Sequence, residues 1–199
     1  VGAPWSLATY IVEGGSSKNY TVVKQMAFTN PFILHALLEK LTASITDYVR
    51  YQADNGAQAV QIFDSWGGEL SPAEFETFSL PYIQKIVAGV RETHPDLPLI
   101  LYVQGSGGLL ERMSESGVDV ISVDQSTDMA DARKRVPAHL GIQGNLDPAY
   151  LWGSQEFIQQ KVVDTVKKAQ GGSHILNLGH GVMVGTPEEN IAHFFHVAR

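Results

Sequence analysis

Between residues 31 and 54, apolar side chains recur at three- and four-residue spacing: Leu34, Leu37, Leu38, Leu41, Ile45, Tyr48 and Val49 fall on one stripe. That period predicts an amphipathic helix from Pro31 to Asp54, ended by Gly56. The pattern then changes. "AQAVQIFDS" (57–65) is a short, nearly continuous apolar run, and "LPLILYVQG", "VDVISVD", "LGIQGN" and "HILNLGH" repeat the theme. Runs with so little polar alternation predict strands of a parallel sheet covered by helices. Helical signals separate them. Ser71 is a cap, Pro72 a first helical residue and Glu74 the third member of a capping box, opening a helix to about Thr93 that Pro81 should divide. Helices are expected over 109–116, 129–136 and 154–169, and a last one at "TPEE", with Thr186 as cap, Pro187 next and Glu189 reaching back. The opening "VGAPW" reads as the end of one more strand.

This alternation makes the fold class α/β. A dinucleotide-binding sheet would carry G-x-G-x-x-G after its first strand; the nearest stretch, "GSGG" at 105–108, lacks the third glycine. The polar residues say more. They gather at the C-terminal end of every expected strand: Asp64 and Ser65, Gln104 and Ser106, Asp124, Gln143 with Asn145 and Asp147, Asn177 with His180. A (β/α)₈ barrel presents its active-site face in this way. Such a barrel takes about 250 residues and eight strands, so a single domain over 1–199, with five β/α units and the end of a preceding strand, is expected to be the C-terminal part of one. A start at Val1 rather than methionine fits a piece of a longer protein.

Composition narrows the chemistry. The chain is 44% hydrophobic and 18% charged over 199 residues, an ordinary globular balance. It has no cysteine, which removes disulfides, thiolate zinc sites and cysteine nucleophiles. A net charge of −7 without a Lys/Arg cluster argues against a nucleic-acid surface, and no apolar run reaches the roughly 20 residues of a membrane span.

Four stretches carry a resemblance: "GAPWSLATYIVEGGSSKNY", "QIFDSWGGELSP", "IQGNLDP" and "NLGHGVMVGTPEEN". Together, and in this order, they resemble uroporphyrinogen decarboxylase, most closely its plastid and cyanobacterial members. The resemblance implies a (β/α)₈ barrel, usually a homodimer, soluble in the chloroplast stroma or the cytoplasm. It also implies a carboxy-lyase that converts the four acetates of uroporphyrinogen III to methyl groups without metal or organic cofactor, in haem and chlorophyll biosynthesis. Its substrate-contacting tyrosine, in A-P-W-[ST]-L-x-T-Y, falls on Tyr10, its serine on Ser65 and its histidine, in N-L-G-H-G, on His180. The family's arginine-rich motif and pyrrole-binding aspartate precede residue 1, so no catalytic residue is assigned within this chain. One departure is local: Asp124-Gln125-Ser126 stands where members usually read Asp-Trp-Thr.

Read from the residues alone, the site is less clear. Tyr10 could be a buried tyrosine on a helix face, Ser65 a loop cap, and Asp147-Pro148 the start of a turn. The expected cleft sets His180, with Lys18 from the glycine-rich loop, against Asp64, Asp124 and Asp147, and the two strand-end aspartates Asp64 and Asp124 could hold a divalent ion. None of the lysines falls at a strand end, where a Schiff-base lysine would be placed. The arginines (Arg50, Arg91, Arg112, Arg133, Arg135 and Arg199) fall on helices or at the terminus, so cations for a polyanion must come from elsewhere. Two other readings are a non-catalytic porphyrinogen-binding fragment and a zinc-dependent methyltransferase on the same fold; the lack of cysteine speaks against the second.

Overall fold

The computed structural model describes residues 1–15 and 17–198; Arg199 lies outside them. Five strands alternate with helices and form one parallel sheet in chain order: β1 (Val60–Asp64), β2 (Leu99–Val103), β3 (Val120–Val123), β4 (Gly141–Leu146) and β5 (His174–Leu178). Every neighbouring pair is parallel. Three helices precede β1: α1 (Pro4–Glu13), α2 (Thr21–Thr29) and α3 (Pro31–Asp54). The helix expected over residues 31–54 is present at those bounds. The helices α1 and α2 flank the glycines at 14 and 15 and have no counterpart among the elements expected above.

The proline at 81 divides the next helix as expected, giving α4 (Pro72–Phe78) and α5 (Leu80–Thr93), and Ser71 and Glu74 form the capping box. Then come α6 (Leu110–Ser114), α7 (Met129–Arg135), α8 (Gln155–Lys168) and α9 (Glu188–Val197). One expected cap is corrected: α9 begins after Pro187, and the Thr186 hydroxyl donates backward to the Met183 carbonyl instead of accepting from the helix. The stub "VGA" does behave as a strand end. Gly2 bridges Phe63 in parallel, and the Ala3 N–H donates to the Phe63 carbonyl at 2.9 Å.

Side chains alternate across each strand. Val60, Ile62 and Asp64 of β1 are buried toward the helices, as are Leu99, Leu101 and Val103 of β2 and Ile121 and Val123 of β3. The helices answer with Leu34, Leu38 and Val49 of α3 and Ile83, Ile86 and Val90 of α5. Each fully buried side chain of this kind contributes roughly 1.5–3 kcal/mol.

The opposite face is concave. The Gln143 amide of β4 donates to the Gln61 side-chain oxygen of β1 at 2.9 Å, and to Ser122 Oγ at 2.9 Å. The strands β1 and β4 are three positions apart, which in a flat sheet would separate them by roughly 14 Å. Direct contact means that the sheet curls as an arc of a barrel.

At the C-terminal end of that arc, two βα turns meet back to back at Gly68 and Gly105: the Gly68 Cα lies 3.8 Å from the position of a Cβ on Gly105. A Cβ on Gly68 would fall 2.0 Å from the Gln104 carbonyl oxygen, which is backbone and cannot swing aside. Gly68→Ala is therefore expected to destabilise by about 1–3 kcal/mol, read as a lower urea midpoint at unchanged m value. Gly108→Ala is the control, since its Cβ meets nothing within 4 Å and should stay within about 0.5 kcal/mol.

Candidate active site

The concave face and the loops above it enclose a cavity of about 410 Å³. Its sheet wall continues the inward positions of the strands: Gln61, Phe63 and Ser65 from β1 and its turn, Tyr102 from β2, Ser122 from β3, and Asn177 from β5. The loop after β5 adds His180 and Val182, and α9 closes the side with Ile191, Phe194 and Phe195. Ser65 and His180 thus reach one cavity from opposite margins of the sheet.

His180 is held edge-on to the Tyr102 ring, with centroids 6.4 Å apart and planes at 73°. Its Nδ1 accepts the Gly181 N–H at 2.7 Å. A nitrogen that accepts cannot carry the proton in the neutral ring, so Nε2 is the donor. The Asn177 side-chain oxygen takes the Leu178 N–H at 2.8 Å, which leaves its amide to donate.

Tyr10 is placed differently. It lies on α1, 45% exposed, against Trp66 at 6.1 Å between ring centroids, and it is not in the cavity lining. It is not a buried helix-face tyrosine. Trp66 follows Ser65 directly and also packs on Tyr20 at 5.4 Å, so Tyr10 adjoins the Ser65 turn without entering the cavity. Burial, with Glu69 and neighbouring groups, pushes the Tyr20 phenol up to about 12, so it stays protonated.

The cleft expected to hold Asp64, Asp124 and Asp147 is corrected. Asp64 is fully buried on the helix side, where Oδ1 accepts from the Ser6 N–H at 3.2 Å and Ser6 Oγ at 2.7 Å, and Oδ2 accepts from Ser79 Oγ at 2.5 Å. Strand alternation is the cause: Asp64 and Ser65 are adjacent, so they face opposite sides. Asp124 is buried and accepts from the Gly105 N–H at 2.8 Å and from Ser126 Oγ at 2.9 Å. Asp147 caps the 3₁₀ turn at Pro148–Trp152 through the Ala149 N–H, as its Asp-Pro sequence foretold, and lines a separate small cavity with Gln125. Lys18 stands exposed between α1 and α2. Among the described residues no three His, Asp or Glu side chains converge as metal ligands.

The five described arginines lie on the outer helices, as expected, and Arg199 falls outside the described residues. Arg91 pairs with Asp119, Arg112 with Glu76, Arg135 with Glu111 and Arg50 with Glu92, while Arg133 donates to backbone carbonyls. The bidentate Arg135 partner holds the Glu111 carboxyl down at about 2.

The family model for uroporphyrinogen decarboxylase matches residues 1–199. The chain belongs to the uroporphyrinogen decarboxylase family. It is 65% identical over its whole length to the chloroplastic uroporphyrinogen decarboxylase of Zea mays, covering 51% of that protein. It is 63% identical to the enzyme of Hordeum vulgare, covering 60%, and 60% identical to that of Synechocystis, covering 57%. The chain therefore spans little more than half the length of these relatives. A methyltransferase from Methanosarcina mazei shares the fold, with a TM-score of 0.85 at 19% identity, over 98% of this chain and 56% of its own.

Within this family frame, Phe63 and Tyr102 are cavity residues that the motifs did not single out. A signal existed. Counting back by two from Ser65 reaches Phe63 and Gln61, and the strand register aligns Phe63 with Tyr102.

Proposed function

We propose that the complete protein containing this chain decarboxylates the four acetate side chains of uroporphyrinogen III, giving coproporphyrinogen III. The observation that carries the proposal is the convergence of Ser65 and His180, both expected substrate contacts, on one cavity. That cavity is walled by aromatic and aliphatic side chains and offers neutral donors, which suits an apolar macrocycle edged with carboxylates. Protonation at a pyrrole carbon makes the ring the electron sink. The bond from the side-chain CH₂ to the carboxylate then breaks, carbon dioxide leaves, the exposed methylene takes a proton to become methyl, and the ring carbon gives back the proton it first received, which restores the pyrrole. The ring supplies what a carbanion-stabilising cofactor would otherwise supply, so none is invoked.

The role of this chain is binding and orientation. His180 donates from Nε2 to a substrate carboxylate, Ser65 supports a second contact across the cavity, and Tyr10 acts from beside the Ser65 turn. The cations that balance the remaining carboxylates belong to the other half of the barrel, because the arginines described here are engaged on the outer helices. A homodimer, and a plastid setting like that named for the Zea mays relative, belong to the same proposal.

The test uses a completed protein, this chain preceded by the N-terminal half of the Zea mays relative, and measures carbon dioxide released from uroporphyrinogen III. His180→Asn is expected to weaken substrate binding and the later decarboxylations without loss of fold. One charge-assisted hydrogen bond is worth about 1.5–3 kcal/mol, roughly a 10- to 150-fold loss. Unchanged kinetics for all four acetates would remove His180 from the site.

A further inference from the structure

His180 takes its position from the glycine before it, and that glycine is held at three points. The Gly179 N–H donates to the Leu146 carbonyl at the end of β4, at 2.8 Å. Its carbonyl accepts the Tyr102 hydroxyl at 3.0 Å. Its Cα lies so near Gln125 that an added Cβ would stand 2.3 Å from the Gln125 backbone nitrogen. The glycine in this motif is thus a matter of close approach, and the contact falls on the residue where the chain departs from its family's usual tryptophan.

Among these holds, Tyr102 alone comes from the inner wall of the cavity. It projects from β2, which is not a neighbour of β5 in the sheet, and it spans the mouth of the arc to reach the loop after β5. Its ring is braced by Phe63 at 6.0 Å on one side and meets the His180 ring on the other. Only 7% of it is exposed. Burial, with Asp124 nearby, pushes its phenol far up, so the hydroxyl remains a donor at any working pH.

We infer that Tyr102 is a positioning residue for His180: by fixing the Gly179 carbonyl from across the cavity and backing the imidazole with its ring, it presents Nε2–H to an anionic group of the bound ligand. The anion rests on the function proposed above; the tether and the tautomer do not. Because Nδ1 accepts from Gly181 within the same clamped turn, a turn released from Tyr102 loses the geometry that fixes the proton on Nε2.

The experiment compares the completed protein with Tyr102→Phe, which keeps the ring and removes one hydroxyl. Histidine labelled with ¹⁵N reports the tautomer, and the His180 signal is assigned by its absence in His180→Asn. The unmodified protein should show His180 with a proton on Nε2 and a bare Nδ1, and Tyr102→Phe should show a mixture of tautomers. In turnover, Tyr102→Phe should lower kcat/KM by about three- to tenfold, as expected for one neutral hydrogen bond, mostly through KM. In a His180→Asn background the same change should cost nothing further. A proton on Nδ1 in the unmodified protein, an unaltered tautomer in Tyr102→Phe, or fully additive losses in the double variant would each overturn the inference. The first of these needs no variant to fold. If the tautomer responds but no carbon dioxide is released by the unmodified completed protein, the positioning role stands and the decarboxylase reading fails.

Discussion

Expressed by itself, the 199-residue chain should aggregate or melt without cooperativity, and should release no carbon dioxide from uroporphyrinogen III. The reason is the margin of the sheet at β5. Among the described residues that strand pairs only with β4, and its pattern alternates between half-buried and exposed where β2 is buried throughout. Ile175 is 44% exposed beside this row of backbone groups, and Phe195 of α9 is 61% exposed. An uncovered strand edge next to apolar side chains is a template for pairing with other chains.

The opposite margin is protected. Residues 1–3 lie along β1, with the Phe63 N–H donating to Val1 and the Val1 ammonium to the Gln61 carbonyl. The inner face is still partly open, since Phe63 is 44% exposed in the interior of the arc. A domain has only about 5–15 kcal/mol to lose, and each unfilled methyl-sized gap costs about 1 kcal/mol. Size-exclusion chromatography, a thermal melt and a turnover assay decide the matter. Restoring the N-terminal half should restore all three behaviours, and a monodisperse, cooperatively melting, active 199-residue protein would refute the prediction.

The second large effect is expected at Asp64. Its carboxylate gathers the Ser6 N–H, the Ser6 hydroxyl and the Ser79 hydroxyl, and Ser6 Oγ in turn accepts the Trp66 N–H at 3.0 Å. One buried group thereby ties α1, the turn carrying Ser65, and the junction of α4 with α5. Asp64→Ala strands three buried donors at about 1–3 kcal/mol each, so the completed protein should lose roughly 3 kcal/mol or more. Asp64→Asn keeps an acceptor toward Ser6 and turns its amide toward Ser79, and should cost much less.

The pH dependence separates the two contributions of this carboxyl. Burial holds it above its ordinary value of 3.8. A carboxyl raised in this way favours the folded state at pH below the unfolded value, and that benefit is lost as pH rises through the folded value. Stability measured by urea at a series of pH values should therefore shift in favour of Asp64→Asn, relative to Asp64, as pH rises from acid toward neutral. A pH-independent difference, or an Asp64→Ala loss within about 0.5 kcal/mol, would show that the network contributes little.

Much of this architecture is readable in the chain, because strands and helices here obey their own periods. The apolar runs place all five strands, Pro81 divides α4 from α5, and Ser71 with Glu74 caps α4. What misleads is adjacency. Asp64 and Ser65 look like a pair of cleft residues, yet a strand sends neighbours to opposite faces, and the aspartate serves the helix layer. "TPEE" misleads in another way: the Thr186 hydroxyl donates to the Met183 carbonyl and accepts nothing from the helix, which opens one residue later than that cap would set it. Tyr102 could not be read as a tether at all, since its partner Gly179 is distant in sequence and is brought near only by the curl of the sheet.

The order of that sheet bears on how the chain reaches its structure. Spatial order equals chain order, so each strand pairs with the one completed just before it. The loops to be closed are single β/α units, and loop-closure entropy grows only as about (3/2)RT ln n. Such a sheet can be laid down strand by strand as it leaves the ribosome, with folding rate limited by local rather than distant contacts. The slow event is the one that chain order cannot supply: curling the sheet until Gln143 of β4 meets Gln61 of β1.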